Sequence, residues 1–486
     1  MDKDLSTKIG QATKWSAITE IASKLVAPLT NAVLARLLVP EAFGVVATLT
    51  MVITFAEIFT DAGFQKYLVQ REFRNDEELN LHTNIAFWTN IAFSLLTWGL
   101  IVLFVKPIAA LVGSQGHELA IIVISADIPL VALSSIQMAR FRRIFDFKKL
   151  FFMRIGVSMV PLVITVPAAL ILRSYWALVI GVLAKDLLGA VILTLNSPWK
   201  PSFQFEFSKL KHMLSYSVWI IIENISIWFS SNAGTFIIGS ILGAYFLGLY
   251  KTGVNTITGY FNVISGAALP VLFSGLSRCQ HDDLEFKKVF FQFQRIVAAL
   301  VFPLGCGIYV YRELGTLILL GSQWIETADL LGMRAAMQAF MIVFSFLNSE
   351  AFRSKGKPKL SVIAQAIDIA TMIPILYWSA SLGFDALVFW SCASCWILIF
   401  ATSLLAHFAL GISVFAVAKN VWPSLLSALI MSCVGAVIRT LQPGIVWELF
   451  TVVVCVVVYA GCMYALPAGR KQLAEIPVIN KVLRLS

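Results

Sequence analysis

A long series of apolar segments, each about twenty residues long and separated by short polar loops, dominates this sequence. That length matches the hydrocarbon layer of a membrane, which a helix of about 20 residues can cross. Only 13% of the 486 residues are charged, about half the share that covers a soluble protein. The pattern predicts an all-α polytopic membrane protein, and it excludes a soluble enzyme, a secreted disulfide scaffold and a disordered tail protein.

Fourteen segments are predicted as transmembrane helices. They cover residues 15–38, 43–65, 83–105, 118–138, 151–172, 175–195, 214–239, 246–272, 289–311, 325–349, 360–381, 384–409, 420–438 and 445–466. We expect helices one to six to form an N-terminal lobe (1–200) and helices seven to twelve a C-terminal lobe (201–410). The remaining residues, 411–486, contain two extra helices and a cytoplasmic tail.

The basic residues predict the orientation of these helices. Of the 37 Lys and Arg residues, 26 fall in the termini and in alternate loops, whereas the intervening loops contain four. Cytoplasmic loops carry such an excess, so both termini are predicted to be cytoplasmic. The net charge of +10 is therefore spread over short loops, and no single basic face for nucleic acid is expected.

A weak internal repeat relates helices one to six to helices seven to twelve. At an offset of 204 residues, Leu38 matches Leu242 and Gly44 matches Gly248. Because six is an even number, both halves enter the membrane in the same direction. Parallel repeats of this kind place a substrate path between the halves of a transporter.

Polar residues within the predicted helices are candidate ligands, because buried charge in hydrocarbon usually faces a cavity or a partner. Lys251 has no acidic neighbour within one helical turn and is the preferred anion ligand. Three alternatives remain: Lys251 and Arg36 could extend to the interface, and Glu20 could simply neutralise Lys24. The candidate substrate-binding residues are Lys24, Asn31, Arg36, Asn224, Lys251, Asn255, Arg334 and Gln338.

The acidic residues of the predicted helices are candidates for coupling transport to Na⁺ or H⁺. Their alternative is a structural role as hydrogen-bonded packing elements. Lys185 and Asp186 are expected to form a local or inter-helix pair, and Asp329 is a candidate partner for Arg334. The candidate coupling residues are Glu20, Glu57, Asp61, Asp127 and Asp368.

No enzyme chemistry is predicted, since neither a nucleotide-binding loop nor a metal-ligand spacing is present. No cofactor or metal is therefore expected, and Cys392 and Cys395 are interpreted as ordinary buried thiols. The strongest basic loop, Arg140–Lys149, interleaves Arg and Lys with Phe. This loop is expected to anchor the chain beside anionic lipid, and the alternative is direct binding of an anionic headgroup.

Three segments resemble bacterial polysaccharide transporters. Leu37-Leu-Val-Pro-Glu-Ala-Phe-Gly44 is similar to their L-L-x-P-x-x-[FY]-G signature after the first helix. Asp61–Arg71 resembles their D-x-G-x-x-x-x-[LI]-[VI]-Q-[RK] run, and Arg140–Leu150 resembles their basic loop after helix four. The resemblance is to the O-antigen and exopolysaccharide flippases, near colanic and teichuronic acid exporters, of the multidrug/oligosaccharidyl-lipid/polysaccharide superfamily. Its specific motifs lie in the first 150 residues.

The resemblance implies a V-shaped pair of six-helix lobes in the bacterial inner membrane. It also implies a transporter that flips polyprenyl-pyrophosphate-linked oligosaccharide to the outer leaflet for surface polysaccharide export. Membrane lipids surround such a protein, and a glycan polymerase and chain-length proteins are candidate partners.

Three other functions are compatible with parts of the sequence. The acidic residues keep open a cation/drug antiporter of the same superfamily. Fourteen helices with cationic positions also fit a lipid II flippase. A membrane scaffold for glycan-synthesising enzymes is the third, although the six-helix repeat argues against scaffolding as its sole role.

Overall fold

The computed structural model describes residues 26, 29–61, 64–143, 147–197 and 199–474. All regular secondary structure in these ranges is helical. Twelve helices in this part of the chain are long and apolar enough to cross a membrane. These features confirm the predicted all-α polytopic fold class.

The contacts divide the chain into two compact units, Met1–Lys251 and Thr252–Ser486. In the first unit, residues 29–37 form α1. The next helices are α2 (Pro40–Asp61), α3 (Phe64–Gln70), α4 (Asp76–Leu103), α5 (Val105–Leu111), α6 (Glu118–Ser125), α7 (Asp127–Arg143), α8 (Phe147–Ser158), α9 (Val166–Leu172) and α10 (Trp176–Asn196). A π-helical turn, Pro161–Thr165, links α8 to α9.

The second unit begins within α11, a helical run over Phe207–Arg278 that is interrupted at Gly243, where φ is 84°. The following helices are α12 (Asp283–Val310), α13 (Arg312–Leu319), α14 (Ala328–Met341), α15 (Leu347–Ser354), α16 (Lys359–Ser381), α17 (Phe384–Leu410), α18 (Val414–Arg439), α19 (Ile445–Ala465) and α20 (Pro467–Ala474). The turn Ser322–Thr327 is a 3₁₀ helix and Ile342–Phe346 is π-helical.

The predicted count of fourteen spans stays a prediction, and two places account for the difference from twelve. The first predicted helix, 15–38, lies mostly outside the described residues. The predicted helices 214–239 and 246–272 both fall within α11. The expected loop between them is reduced to the break at Gly243, whose positive φ a residue without Cβ adopts readily.

The core of the first unit forms around α2, which packs against α4, α6, α7 and α10. Val45, Leu49 and Ile53 project from α2 into this core, at spacings that place them on one helical face. Each is less than 4% exposed, so this face is fully covered by its neighbours.

Two glycines allow α2 and α11 to approach at backbone distance within the first unit. A Cβ on Gly44 would lie 1.7 Å from the carbonyl oxygen of Ala244. A Cβ on Gly248 would lie 1.9 Å from the carbonyl oxygen of Pro40. Farther along the same pair of helices, the Trp228 Nε1 donates a hydrogen bond to Thr54 Oγ1 at 3.1 Å. The close approach therefore depends on the two glycines.

In the second unit, α12 packs against both α14 and α18, and α18 packs against α19. The two helices predicted to lie outside the repeat are thus attached to the unit through α12. The Tyr459 hydroxyl on α19 donates a hydrogen bond to the carbonyl oxygen of Ala299 on α12, at 2.8 Å.

Candidate functional site

The candidate ligands of the first predicted helix are only partly described. Lys24 and Glu20 lie outside the described residues. Asn31 and Arg36 are exposed on α1, and Arg36 makes an interaction of its own. The proposed role of Lys24 and Glu20 therefore stays a prediction.

Lys251 is the candidate anion ligand with the clearest surroundings in the first unit. It is half-buried in the apolar run of α11, two turns beyond the break at Gly243. Within the part of the chain that the structure describes, no charged group acts on its ammonium group. A cation in such a position is a candidate ligand for an anionic substrate. Asn224, also on α11, is half-buried.

The second unit brings Arg334 of α14 near Asp368 of α16 and Cys395 of α17. The Arg334 Nη1 lies 3.2 Å from the Cys395 Sγ, and the guanidinium interacts electrostatically with Asp368. Gln338, one turn after Arg334, is buried, whereas Asn255 is exposed. The structure therefore combines one candidate ligand and one candidate coupling acid in a mixed-charge cluster.

The expected partnership of Asp329 with Arg334 is wrong. Asp329 Oδ1 accepts a hydrogen bond from Arg312 Nε at 2.6 Å. The two partners are 17 positions apart and lie on α13 and α14, so a turn between helices brings them together. Sequence proximity favoured Arg334, but Arg334 is directed toward α16 and α17.

Three carboxyl groups of the first unit meet within the predicted membrane helices. Asp127 on α7 lies close enough to Asp186 on α10 and to Glu57 on α2 to interact electrostatically with both. Lys185 forms an ion pair with Asp186 at 3.2 Å, which confirms the predicted pair. We call Glu57, Asp127, Asp186 and Lys185 the acid cluster.

Asp61, the remaining candidate coupling acid, is the last residue of α2, and the described contacts do not include its side chain. Asp186 is not among the sequence-based candidates, because the adjacent Lys185 indicates that its charge is neutralised locally. Only the packing of α7 against α10 reveals that it also faces Asp127.

The family-like segments after α2 and α7 contact each other. The Arg143 Nη1 donates hydrogen bonds to the carbonyl oxygens of Leu68 and Arg71, at 2.8 and 2.7 Å. These carbonyls belong to the last turn of α3 and the residue after it, where a helix leaves its acceptors unsatisfied. Its guanidinium also lies 4.8 Å from the ring centre of Phe73. At least one arginine of the basic loop thus has a structural role.

A buried polar network continues from this contact into α4. Arg71 donates a hydrogen bond to the Tyr67 hydroxyl, which also lies 3.4 Å from the His82 Nδ1. Burial raises the pKa of the Tyr67 phenol, although the nearby Arg71 acts in the opposite direction. His82, one residue before the predicted span 83–105, is a fully buried residue of α4.

Residues 33–329 match a family described as polysaccharide biosynthesis protein, which is more than half of the sequence. The chain belongs to this family. The match confirms the family predicted from the early motifs and extends it well beyond the first 150 residues.

Curated relatives of this polysaccharide biosynthesis protein are distant but extensive. An uncharacterized membrane protein in the cps region of Klebsiella pneumoniae is 23% identical over 381 residues, covering 77% of each chain. The succinoglycan biosynthesis transport protein ExoT of Rhizobium meliloti (strain 1021) is 24% identical over 327 residues. That alignment covers 67% of this chain and 65% of ExoT.

A solved structure supports the fold of this family member. The inward closed conformation of the lipid II flippase MurJ has a TM-score of 0.73 and 15% identity, covering 93% of this chain and 98% of that one. At this identity the likeness concerns the fold alone. The family and its curated relatives support transport in polysaccharide biosynthesis, as the sequence predicts, and not an enzymatic activity.

Proposed function

We propose that this protein moves a polyprenyl-pyrophosphate-linked oligosaccharide from the cytoplasmic to the outer leaflet of the bacterial inner membrane. The observation that carries this proposal is the family match over residues 33–329. The twelve candidate spans provide the membrane body that such a transporter needs. The name of the succinoglycan relative describes a transport protein, which supports a transport function for this chain.

The chemistry of the substrate agrees with the candidate residues. A pyrophosphate group is anionic and is bound well by Lys and Arg. Lys251 and Lys24 are the proposed ligands, and polar side chains of the same helices would contact the sugars. The lipid tail would stay in the bilayer. Alternating access of lobes 1–200 and 201–410 would expose the site to each leaflet in turn.

The proposal also covers the orientation of the chain, its protein partners and its coupling ion. Both termini are proposed to be cytoplasmic, because 26 of the 37 basic residues lie on the side of the termini. A glycan polymerase and chain-length proteins are proposed partners on the outer side. Na⁺ or H⁺ is the proposed coupling ion, and the acid cluster is its proposed binding site.

Deleting the gene in its host tests the proposed function. We expect lipid-linked oligosaccharide to accumulate in the membrane while extracellular polysaccharide disappears, and a plasmid copy should restore both to the parental level. Unchanged glycan on both sides would contradict the proposal. Accumulation of lipid II with normal polysaccharide would instead identify a lipid II flippase.

Replacing Lys251 with alanine tests the anion-ligand assignment. We expect polysaccharide export to fall at least about tenfold, because a charge-assisted hydrogen bond to the substrate is lost. Lys251→Arg should retain more of the export than Lys251→Ala. The control is Lys419→Ala, which removes the charge of an exposed lysine. Export in Lys251→Ala equal to that of Lys419→Ala, at equal protein levels in the membrane, would remove Lys251 from the site.

The acid cluster favours a cation/drug antiporter as the second candidate function. Neighbouring carboxyl groups inside the membrane suit exchange of a proton for a cationic compound. The deletion strain distinguishes the two functions. New sensitivity to cationic drugs with unchanged polysaccharide would support the antiporter.

A further inference from the structure

A polar cavity of about 430 Å³ lies within the first unit, away from the acid cluster and from Lys251. It opens where the start of α4, the end of α7 and the segment after α10 meet, on the side predicted to be cytoplasmic. Its volume is that of a site for a small ligand. We call it the α4–α7 cavity, and its lining includes Asp76, Asn80, Arg140, Lys200, Ser202 and Gln204.

The wall formed by the segment after α10 is fixed to α4 by several hydrogen bonds. Asn84 Nδ2 donates to Ser202 Oγ at 2.7 Å, and the Ser202 backbone N–H donates to Asn84 Oδ1 at 3.0 Å. The Trp88 Nε1 donates to the Ser202 carbonyl at 3.0 Å, and the Trp88 ring stacks on Phe203 at 4.6 Å between ring centres. These contacts hold this wall of the cavity in place, which reduces the entropic cost of binding a ligand.

Two side chains of the cavity have buried polar atoms without a hydrogen-bond partner among the described residues. These atoms are the Nε and Nη1 of Arg140 and the Oδ1 of Asn80. In contrast, the Nη1 of neighbouring Arg143 donates hydrogen bonds to backbone carbonyl oxygens. Unsatisfied buried donors are destabilising, so an arginine retained in this state indicates a ligand or ordered water that completes its bonds.

The charges of the cavity specify the kind of ligand. Arg140 and Lys200 are positive and Asp76 is negative, so the lining has one excess positive charge. Lys200 donates two of its three N–H bonds to the carbonyls of Thr194 and Leu195, which leaves one for a ligand. Carboxylate and amide oxygens of Asp76 and Asn80 can accept hydrogen bonds from hydroxyl groups.

We propose that the α4–α7 cavity binds a phosphorylated polyol, a phosphate group that carries a hydroxyl-rich substituent. Arg140 and Lys200 would hold the phosphate, and Asp76, Asn80 and Gln204 would bind the hydroxyls. Two sources on the cytoplasmic side share this chemistry. One is the headgroup of an anionic phospholipid such as phosphatidylglycerol, and the other is the phosphate-linked sugar of a glycan intermediate. A phospholipid in this cavity would be independent of the proposed transport, whereas a phosphate-linked sugar there would rest on the proposed function.

Two soluble probes and two membranes identify the source. The full-length protein is placed in nanodiscs of phosphatidylcholine alone or with phosphatidylglycerol, and thermal stabilisation by glycerophosphoglycerol or glucose 1-phosphate is titrated. Stabilisation by both probes in phosphatidylcholine, abolished when phosphatidylglycerol is present, would assign the site to the phospholipid. Stabilisation by glucose 1-phosphate that persists in phosphatidylglycerol would assign it to the sugar phosphate. The proposal is wrong if neither probe, and no phosphatidylglycerol content, stabilises the protein.

The variant Arg140→Gln/Lys200→Gln tests the residues. We expect its affinity for the stabilising probe, or for phosphatidylglycerol, to fall at least about tenfold. The matched control, Lys211→Gln/Lys471→Gln, removes two exposed positive charges outside the cavity. Equal binding by the two double variants would overturn the assignment.

A single substitution, Asn80→Ala, keeps the test informative if the double variant does not fold. Its lost oxygen has no hydrogen-bond partner among the described residues, so folding should survive. We expect weaker binding of glucose 1-phosphate and unchanged, weak binding of inorganic phosphate, which lacks hydroxyl groups on a carbon skeleton. Equal binding of glucose 1-phosphate by wild type and Asn80→Ala would contradict the role of the hydroxyls. If the proposed transport function is wrong, these binding results can still hold. The binding measurements therefore test the α4–α7 cavity separately from the transport function.

Discussion

Replacing Gly44 with alanine is expected to destabilise the protein by about 4 kcal/mol or more and to abolish export. The added Cβ would lie 1.7 Å from the Ala244 carbonyl oxygen, and a backbone atom cannot move aside as a flexible side chain can. α2 and α11 would have to separate along their contact. The thermal unfolding midpoint in detergent should fall by about 5 °C or more. Gly248→Ala should have a similar effect, because its Cβ would lie 1.9 Å from the Pro40 carbonyl oxygen.

Gly99→Ala and Gly156→Ala are the matched controls. Both glycines lie in helices, and a Cβ on either would have no neighbouring atom within 4 Å. Alanine favours the helix over glycine by up to about 1 kcal/mol, so these variants should unfold at or above the wild-type temperature. An unfolding midpoint for Gly44→Ala equal to that of Gly99→Ala would show that the helices do not need this approach.

The second large effect is expected for Asp127→Asn. The amide has nearly the same size as the carboxyl group but cannot release a proton, so proton-coupled transport should stop. In proteoliposomes we expect wild-type substrate movement to respond to an imposed pH gradient. The variant should retain at most about a hundredth of the gradient-driven rate, because a positioned proton-transfer group typically contributes about a hundredfold or more. Transport assays with and without an uncoupler would separate this component from passive movement.

Asp385→Asn is the control, because this exposed acid at the start of α17 lies outside the acid cluster. It should keep the wild-type response to the gradient. A wild-type gradient response in Asp127→Asn would make the acid cluster structural. A response to Na⁺ in place of pH would identify sodium as the coupling ion.

The fold class and the family were predictable, because each depends on a signal that extends over many residues. Span length, charge placement and the early motifs are all properties of local sequence. The break at Gly243 was also near a predicted boundary, since helices seven and eight were expected to be separated there. What sequence could not show was that α11 continues with so short an interruption.

The sites were less predictable, since they depend on contacts between distant helices. Glu57 and Asp127 were candidates, but Asp186 completes their cluster from 59 positions beyond Asp127. Asn84 and Ser202 are 118 positions apart, and no periodicity of either segment indicates their contact. The wrong partner predicted for Asp329 has the same origin. Arg334 is nearer in sequence, but the ion pair forms with Arg312 on the preceding helix.

The contact between the two glycines also has a symmetry. Adding the repeat offset of 204 to Pro40 gives Ala244, and adding it to Gly44 gives Gly248. The approach of Gly44 to Ala244 therefore becomes, under the repeat, the approach of Gly248 to Pro40. Such reciprocity is the hallmark of an isologous interface, in which one surface binds a copy of itself. The first unit thus contains, within one chain, the kind of reciprocal contact by which two identical subunits bind each other.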